Sequence, residues 1–287
     1  MPSGIGNLWS LGGLSLPEVL RRTARESWAD SVFGQGGRMA FYHFLAIFPS
    51  LLLFLAISSH APHLSDSMKS AMDDMARQVL PDRVAQLFQT AVQELNGRAL
   101  SGIHFVSVCA GTLWAALNAT WAMIYGLNRA YEVQEQRPWW KLSITICGLT
   151  LALAALCLIA MFLIFCGAYF QKYFHAGILV LRAVEWLVLV AAVLLWFAVL
   201  YRFAPDLRDH EWRWSTPGAL CALLLWIAAA LIARLYFDRV NDYSRTYGHL
   251  NGVVMLLLWL YVSNGAILVG GEMNSEIEKA AAERGYV

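Results

Sequence analysis

Charge is scarce in this chain. Asp, Glu, Lys and Arg make up 14% of its 287 residues, against about a quarter in an ordinary soluble domain. That shortage excludes a water-soluble fold, whose surface would have to be built from apolar side chains. The two signs nearly cancel, 21 basic side chains against 20 acidic, which excludes the global positive field of a nucleic-acid-binding protein. The five cysteines (Cys109, Cys147, Cys157, Cys166 and Cys221) lack zinc-type spacing and fall within apolar runs, so they read as small packing residues rather than ligands or disulfide partners. The seven histidines are scattered without metal-ligand spacing. HExxH, Walker A, GxSxG and GxGxxG are also missing. No catalytic residue, metal ligand or cofactor site is therefore assigned, and without an ATP site any transport must be passive, ion-coupled or partner-driven.

Apolar length is what the chain has instead. Hydrophobic residues reach 59%, and the mean hydropathy is +0.52. A helix needs ~20 mainly apolar residues to cross ~30 Å of hydrocarbon. The segments 39–58, 102–127, 142–170, 183–203, 217–237 and 252–271 meet that requirement. Strands of a membrane barrel would alternate polar and apolar residues, and runs such as LTLALAALCLIAMFLIF do not. The expected fold is all-α: a polytopic bundle of six transmembrane helices. A polar, Arg-containing stretch precedes the first apolar run, which is long enough to stay as an anchor rather than be removed as a leader. The excess of Lys and Arg in short loops, including Arg129, Arg137, Lys141, Arg202, Arg208 and Arg213, places both termini in the cytoplasm.

Outside the spans the chain divides simply. Residues 1–37 form a cytoplasmic N-terminal segment, 38–272 the transmembrane domain, and 273–287 a cytoplasmic tail. Ser15 and Glu18 have the spacing of a capping box, and Pro17 suits a first helical turn. Leu16, Val19, Leu20, Ala24, Trp28 and Val32 recur at helical spacing, predicting an amphipathic helix in the membrane interface. Gly34, Gly36 and Gly37 would permit the turn into the first span. Residues 59–101 carry two apolar stripes separated by Pro81 and predict an extracytoplasmic helical hairpin. Two cytoplasmic loops, NRAYEVQEQRPWWK and YRFAPDLRDHEWRW, set Arg beside Trp or Tyr. Interface anchoring accounts for this pattern; so would a surface for anionic headgroups, since Arg matches phosphate geometry.

Polar side chains inside apolar spans need a partner or a watery path. His43 lies one turn into the first span, and Pro49 frees a backbone carbonyl near its middle. Asn118, between Trp114 and Trp121, calls for an interhelical hydrogen bond or a place along a pathway. Ala266 and Gly270 form a small-xxx-small step for close helix contact. Glu272, at the inner boundary of the last span, can cap a helix, pair with an arginine or titrate during transport.

Taken in order, five segments resemble the YihY/BrkB family of bacterial inner-membrane proteins. They are DSVFGQGGRMAFYHFLAIFP, LNRAYEVQEQRPWW, LYRFAP with WRWSTPG, YSRTYG and LLWLYVSNGAILVGGEMNSE. The resemblance covers about Trp28 to Glu278. The family-motif positions include Asp30, Asn128, Tyr131, Glu135, Pro205, Tyr243, Tyr247, Gly248, Gly271 and Asn274. Arg239, Asn241, Asp242 and His43 depart from the family pattern. The resemblance implies a six-span inner-membrane protein without a settled activity. Members were once labelled ribonuclease BN, but a nuclease needs metal ligands or an acid/base pair in an aqueous cleft, and the residues supply neither. The leading expectation is a flippase-like transporter of an amphipathic substrate, with anionic lipid as the class that fits and membrane lipids as its partners. Arg129, Arg137 and Arg202 would attract the headgroup, with Pro49 and Asn118 shaping the path. The alternative is a non-transporting scaffold that docks a partner protein.

Overall fold

The structure is a computed structural model that describes residues 8–58, 102–173, 178–207, 216–239 and 251–284. The extracytoplasmic hairpin expected over 59–101 lies outside the described residues, as do Tyr243, Tyr247 and Gly248. Among the described residues the fold is all-helical. A short 3-10 segment, Leu8–Gly13, is followed by α1 (Leu16–Ala29), α2 (Val32–Ser58), α3 (Ile103–Ala130), α4 (Trp139–Tyr173), α5 (Ile178–Phe203), α6 (Pro217–Arg239) and α7 (Asn251–Glu283). Helices α3 to α7 each contain a stretch long and apolar enough to cross a membrane. The first expected span falls on α2, a single helix of 27 residues with Pro49 inside it.

The surface confirms the solvent. Ile144, Leu151, Leu158, Ile159 and Phe162 of α4 are exposed, as are Leu187 of α5 and Leu231 and Ile232 of α6. Water would penalise each of these, whereas lipid chains do not. Polar side chains on α3, α4 and α7 bond back to their own backbone. Ser107, Thr112, Ser143, Thr145, Thr150 and Asn264 all donate to the carbonyl four residues earlier. A hydroxyl satisfied this way can face hydrocarbon without a neighbour.

Helix α7 is the hub, packing against the 3-10 segment, α1, α2, α3 and α6. Small residues let it do so. Gly36 of α2 faces the backbone of Gly265 and Tyr261, and a Cβ there would sit 3.5 Å from both. Gly34, Gly36 and Gly37 therefore do not make the turn into the first span; they lie within α2. The turn is made instead by Asp30 and by Ser31 at φ 54°. At 33 residues α7 is about 50 Å long at 1.5 Å per residue, well beyond a hydrocarbon core. It runs unbroken through Gly271 to Glu283, and its last turns meet α1.

Helix α1 is partitioned between protein and surroundings. Val19, Thr23 and Ser27 are buried, with Val19 packed on Met273 and Ile277 of α7. Leu16, Leu20 and Trp28 are exposed beside Arg21 and Arg25, the pairing of apolar and basic side chains that suits a membrane interface. The capping box does not form. Ser15 makes no side-chain cap, and Glu18 turns forward to Arg21 at 3.1 Å and Arg22 at 3.3 Å.

Candidate functional site

Buried polar side chains gather at the end of the bundle that carries α1, the α3–α4 turn and the start of α6. Helix α3 ends in a left-handed turn: Glu132 takes φ 51°, its N–H donates to the Arg129 carbonyl, and the Val133 N–H donates to that of Asn128 at 2.9 Å. This closure satisfies carbonyls that a helix end would orphan. It also leaves the Asn128 side chain free to bridge. Its Nδ2 donates to Glu135 Oε2, and its Oδ1 accepts from the Asp206 N–H, both at 2.9 Å. One amide thus ties the α3–α4 turn to the chain leaving α5.

Arg137 completes this elbow. Its Nε donates to Glu135 Oε1 at 2.6 Å, a second nitrogen reaches Glu135 Oε2, and the guanidinium also donates to the Phe203 and Ala204 carbonyls at the end of α5. A planar fork is the side chain that can hold a carboxylate and two carbonyls at once. Burial pushes the Glu135 carboxyl up, but hydrogen bonds from Arg137 and Asn128 and the guanidinium charge outweigh it, and the group sits below the usual carboxylate value. The elbow flanks a cleft of about 720 Å³, lined by Glu132, Gln134, Gln136, Arg137, Lys141 and Asp206 among others.

A second junction joins α6 to α7. Asn274 Oδ1 accepts from the Gly218 N–H at 2.9 Å, while its Nδ2 donates to Thr216 Oγ1 at 3.0 Å. Thr216 in turn accepts from the Ala219 N–H at 3.1 Å, capping α6. Gly218 and Gly270 allow the backbones to touch; a Cβ on Gly270 would lie 2.5 Å from the Gly218 carbonyl oxygen. Tyr201 of α5 locks the same layer through its hydroxyl, which donates to the Ile267 carbonyl at 2.7 Å. Tyr131 and Leu127 pack on Gly271, where a Cβ would come within 2.8 Å of Leu127. Pro205, just beyond α5, is buried.

Acidic groups are enclosed next to this junction. Asp30 is 9% exposed and pairs through Oδ1 with Arg129 Nε at 3.1 Å, while its Oδ2 is buried without a hydrogen-bond partner. Burial raises the Asp30 carboxyl above its usual value, and the Arg129 charge opposes that. Glu272 has no exposed surface, and neither of its oxygens has a partner. Lys279 binds Glu132 at 3.0 Å and Glu276 at 2.9 Å, pinning α7 to the α3–α4 turn.

A groove opens on the flank of the bundle between α2, α3 and α4. Its volume is about 470 Å³, and Tyr42, Leu117, Asn118, Trp121, Ser143, Ile146 and Cys147 line it. Asn118 donates to the Trp114 carbonyl of its own helix at 2.7 Å, rather than to another helix. The α3–α4 hydrogen bond comes from Thr120 and Thr150, 2.7 Å apart. Above the groove Arg38 lies over two rings, its Cζ 3.8 Å from the Tyr125 centroid and 5.4 Å from that of Trp121. Its Nε and Nη2 are buried without a hydrogen-bond partner.

The structure separates the sequence-derived candidates. Asn118 lines the groove. Arg137, Asn128, Glu135 and Asn274 build the junctions at the basic end, and Arg129 holds Asp30. Arg202 lies in the last turn of α5, its Cζ 5.9 Å from the Phe203 ring. His43 Nδ1 bonds the Met39 carbonyl at 2.8 Å. Pro49 leaves the Leu45 carbonyl without the N–H that an ordinary residue would supply. Arg38, Trp121, Tyr125 and Ser143 were not among the candidates. A cation preceding span one and aromatics four apart on span two hinted at them, but only packing brings α2 and α3 together.

The family model described as virulence factor BrkB matches residues 23–286. The chain belongs to the BrkB family. Among its relatives, a putative ribonuclease-like protein, YfkH, of Bacillus subtilis (strain 168) is 29% identical over 85% of this chain and 90% of its own length. A UPF0761 membrane protein of Verminephrobacter eiseniae is 25% identical over 93% of this chain, which spans 64% of that relative. Another, from Psychromonas ingrahamii, is 24% identical over 89% of this chain and 86% of its own length. No solved structure matches. This BrkB-family chain is thus a membrane protein whose matched region takes in both junctions and the groove.

Proposed function

We propose that the protein moves an amphipathic substrate, an anionic lipid being the class that fits, through the membrane along the groove between α2, α3 and α4. The carrying observation is the groove itself. Tyr42, Asn118 and Ser143 place polar side chains on a wall otherwise made of Leu117, Trp121, Ile146 and Cys147, on the flank of helices whose outer faces are apolar. A lipid headgroup needs such a polar track, because the hydrocarbon core solvates none of its charge. In this reading both termini are cytoplasmic, the membrane is the bacterial inner membrane, and six helices span it. Arg129, whose side chain stays 58% exposed, and Arg202 gather anionic headgroups at the basic end, while Arg137 holds the elbow that shapes it. Pro49 supplies an unpaired carbonyl deeper in α2, and Glu272 is the enclosed group available to take up a proton during the cycle.

The test is reconstitution in liposomes with fluorescent phosphatidylglycerol and a membrane-impermeant quencher. Accelerated exchange between leaflets, reduced severalfold by Asn118→Leu or Ser143→Leu in well-folded protein, is the expected result. Exchange no faster than in protein-free vesicles would overturn the reading. A scaffold that docks a partner protein on the basic end would give that negative result with a normal fold. The ribonuclease-like name of one relative raises a third reading. Among the described residues no three His, Cys, Asp or Glu side chains gather as a cation site, and metal-dependent cleavage of RNA by the purified protein would favour that third reading.

A further inference from the structure

A half-buried guanidinium packed on aromatic rings without an anion is an incomplete arrangement. Arg38 sits on α2 one turn before Tyr42, which lines the groove, and its Cζ lies 5.4 Å from the ring of Trp121, which lines it too. Tyr125 lies beneath at 3.8 Å, and the Tyr42 and Trp121 rings meet edge to face at 6.3 Å. Cation–π contacts return ~1–2 kcal/mol at a desolvated site, whereas taking a cation out of water costs several. Two of its nitrogens have no acceptor, and among the described residues no carboxylate pairs with it. Asp30, the nearest acid in sequence, is taken by Arg129.

We propose that Arg38 anchors the phosphate of an anionic phospholipid whose acyl chain lies in the groove below. The inference deepens the transport reading and rests on its assignment of the groove. Three features fit one occupant. Arg38 is half-buried, so the open part of its guanidinium can meet phosphate oxygens. Trp121 and Tyr125 are 37% and 48% exposed, so lipid can reach the ring faces that flank Arg38. The groove beyond, about 470 Å³ with Leu117 and Ile146 in its wall, accepts hydrocarbon. Arg38 also lies only a few residues inside the start of α2, and Lys141 and Trp140 mark the same level on α4, with Lys141 Nζ 5.3 Å from the Trp140 ring. That is the depth at which basic and aromatic side chains meet headgroups. A soluble anion would satisfy the charge but leave the groove unfilled.

The experiment measures binding, not movement. The full chain is placed in nanodiscs of phosphatidylcholine containing either phosphatidylglycerol or phosphatidylcholine with brominated acyl chains, and quenching of tryptophan fluorescence is recorded. Trp121→Phe identifies the share due to Trp121. The expected result is that Trp121 is quenched preferentially by the brominated phosphatidylglycerol, and that Arg38→Gln lowers this preference about tenfold. Arg38→Lys, which keeps the charge and guards against a folding artefact, retains part of it. Equal quenching by both lipids, or a preference unchanged in a folded Arg38→Gln protein, overturns the proposal. So does loss of the preference on adding millimolar inorganic phosphate, which would show a free-anion site. Preferential quenching without leaflet exchange would uphold the anchor and sink the transporter, whereas exchange without preferential quenching would do the reverse.

Discussion

Asn274 clasps the first turn of α6 through Gly218: its Oδ1 accepts the Gly218 N–H at 2.9 Å, and its Nδ2 binds Thr216 Oγ1 at 3.0 Å. The two residues lie 56 positions apart in the chain. Between them they convert the unpaired end of a membrane helix into a fixed contact with the hub helix. Asn274→Ala leaves the Gly218 N–H without an acceptor in a buried layer, at a cost of about 1–3 kcal/mol. Unfolding in mixed micelles, followed by tryptophan fluorescence, measures this. Gly218→Ala should cost at least as much, since its Cβ would overlap the Gly270 carbonyl and force the helices apart.

Glu135 gives the protein an acid-sensitive element. Its folded-state pKa lies below its unfolded value because Arg137 and Asn128 hold the carboxylate. Its stabilisation is therefore fully present above the unfolded pKa of ~4.3 and is lost as pH falls through the lower folded value. Glu135→Gln should be less stable than wild type at pH 7, and the difference should shrink as pH drops below about 4. A pH series of micelle unfolding reads both arms; a difference that does not change with pH would refute the assignment.

Arg137 and Arg129 should behave differently although they lie only eight positions apart in NRAYEVQEQRPWWK. Arg137 is 15% exposed and joins Glu135 to the carbonyls that end α5, so Arg137→Ala should cost about 2–4 kcal/mol and Arg137→Lys should rescue it only in part. Arg129 is 58% exposed in its pair with Asp30. Solvent screens the Arg129 end of that pair, while Asp30 is only 11% exposed, so Arg129→Ala should cost about 1–2 kcal/mol, less than Arg137→Ala. Equal losses would contradict the division between elbow and surface.

Glu272 makes no bond that a neutral amide would break. With both oxygens enclosed and unpartnered, Glu272→Gln should fold with stability equal to or above wild type at neutral pH, because it removes an ionisable group from a buried site. If Glu272 takes up a proton during transport, the same variant should lose the pH dependence of lipid exchange while staying folded. Normal pH dependence in the variant would dismiss that role.

Much of this architecture is legible in the chain, and the failures have one cause. Hydropathy placed five of the expected spans on helices α3 to α7, because apolar length is a local property. The family segments marked Asn128, Glu135, Gly271 and Asn274 without saying what they touch. The misread details were choices between rival partners. Glu18 has the spacing to cap α1 yet pairs with Arg21 and Arg22. Asn118 could have bonded across helices but satisfies itself on the Trp114 carbonyl. Gly36 could have made a turn but serves as a packing surface for Gly265.

By itself the sequence determined the solvent, the helical class and the family, since each depends on composition or order along the chain. Tertiary structure decided which arginine is structural and which lacks an anion. Arg137 meets the end of α5 across 67 positions, and Arg38 meets Trp121 and Tyr125 where α2 and α3 pack together, with Gly36 close to Gly265 of α7 and Gly126 close to Met39 of α2 and Leu268 of α7. The charge of a side chain is written in its letter, but whether that charge is paired depends on what the fold packs against it.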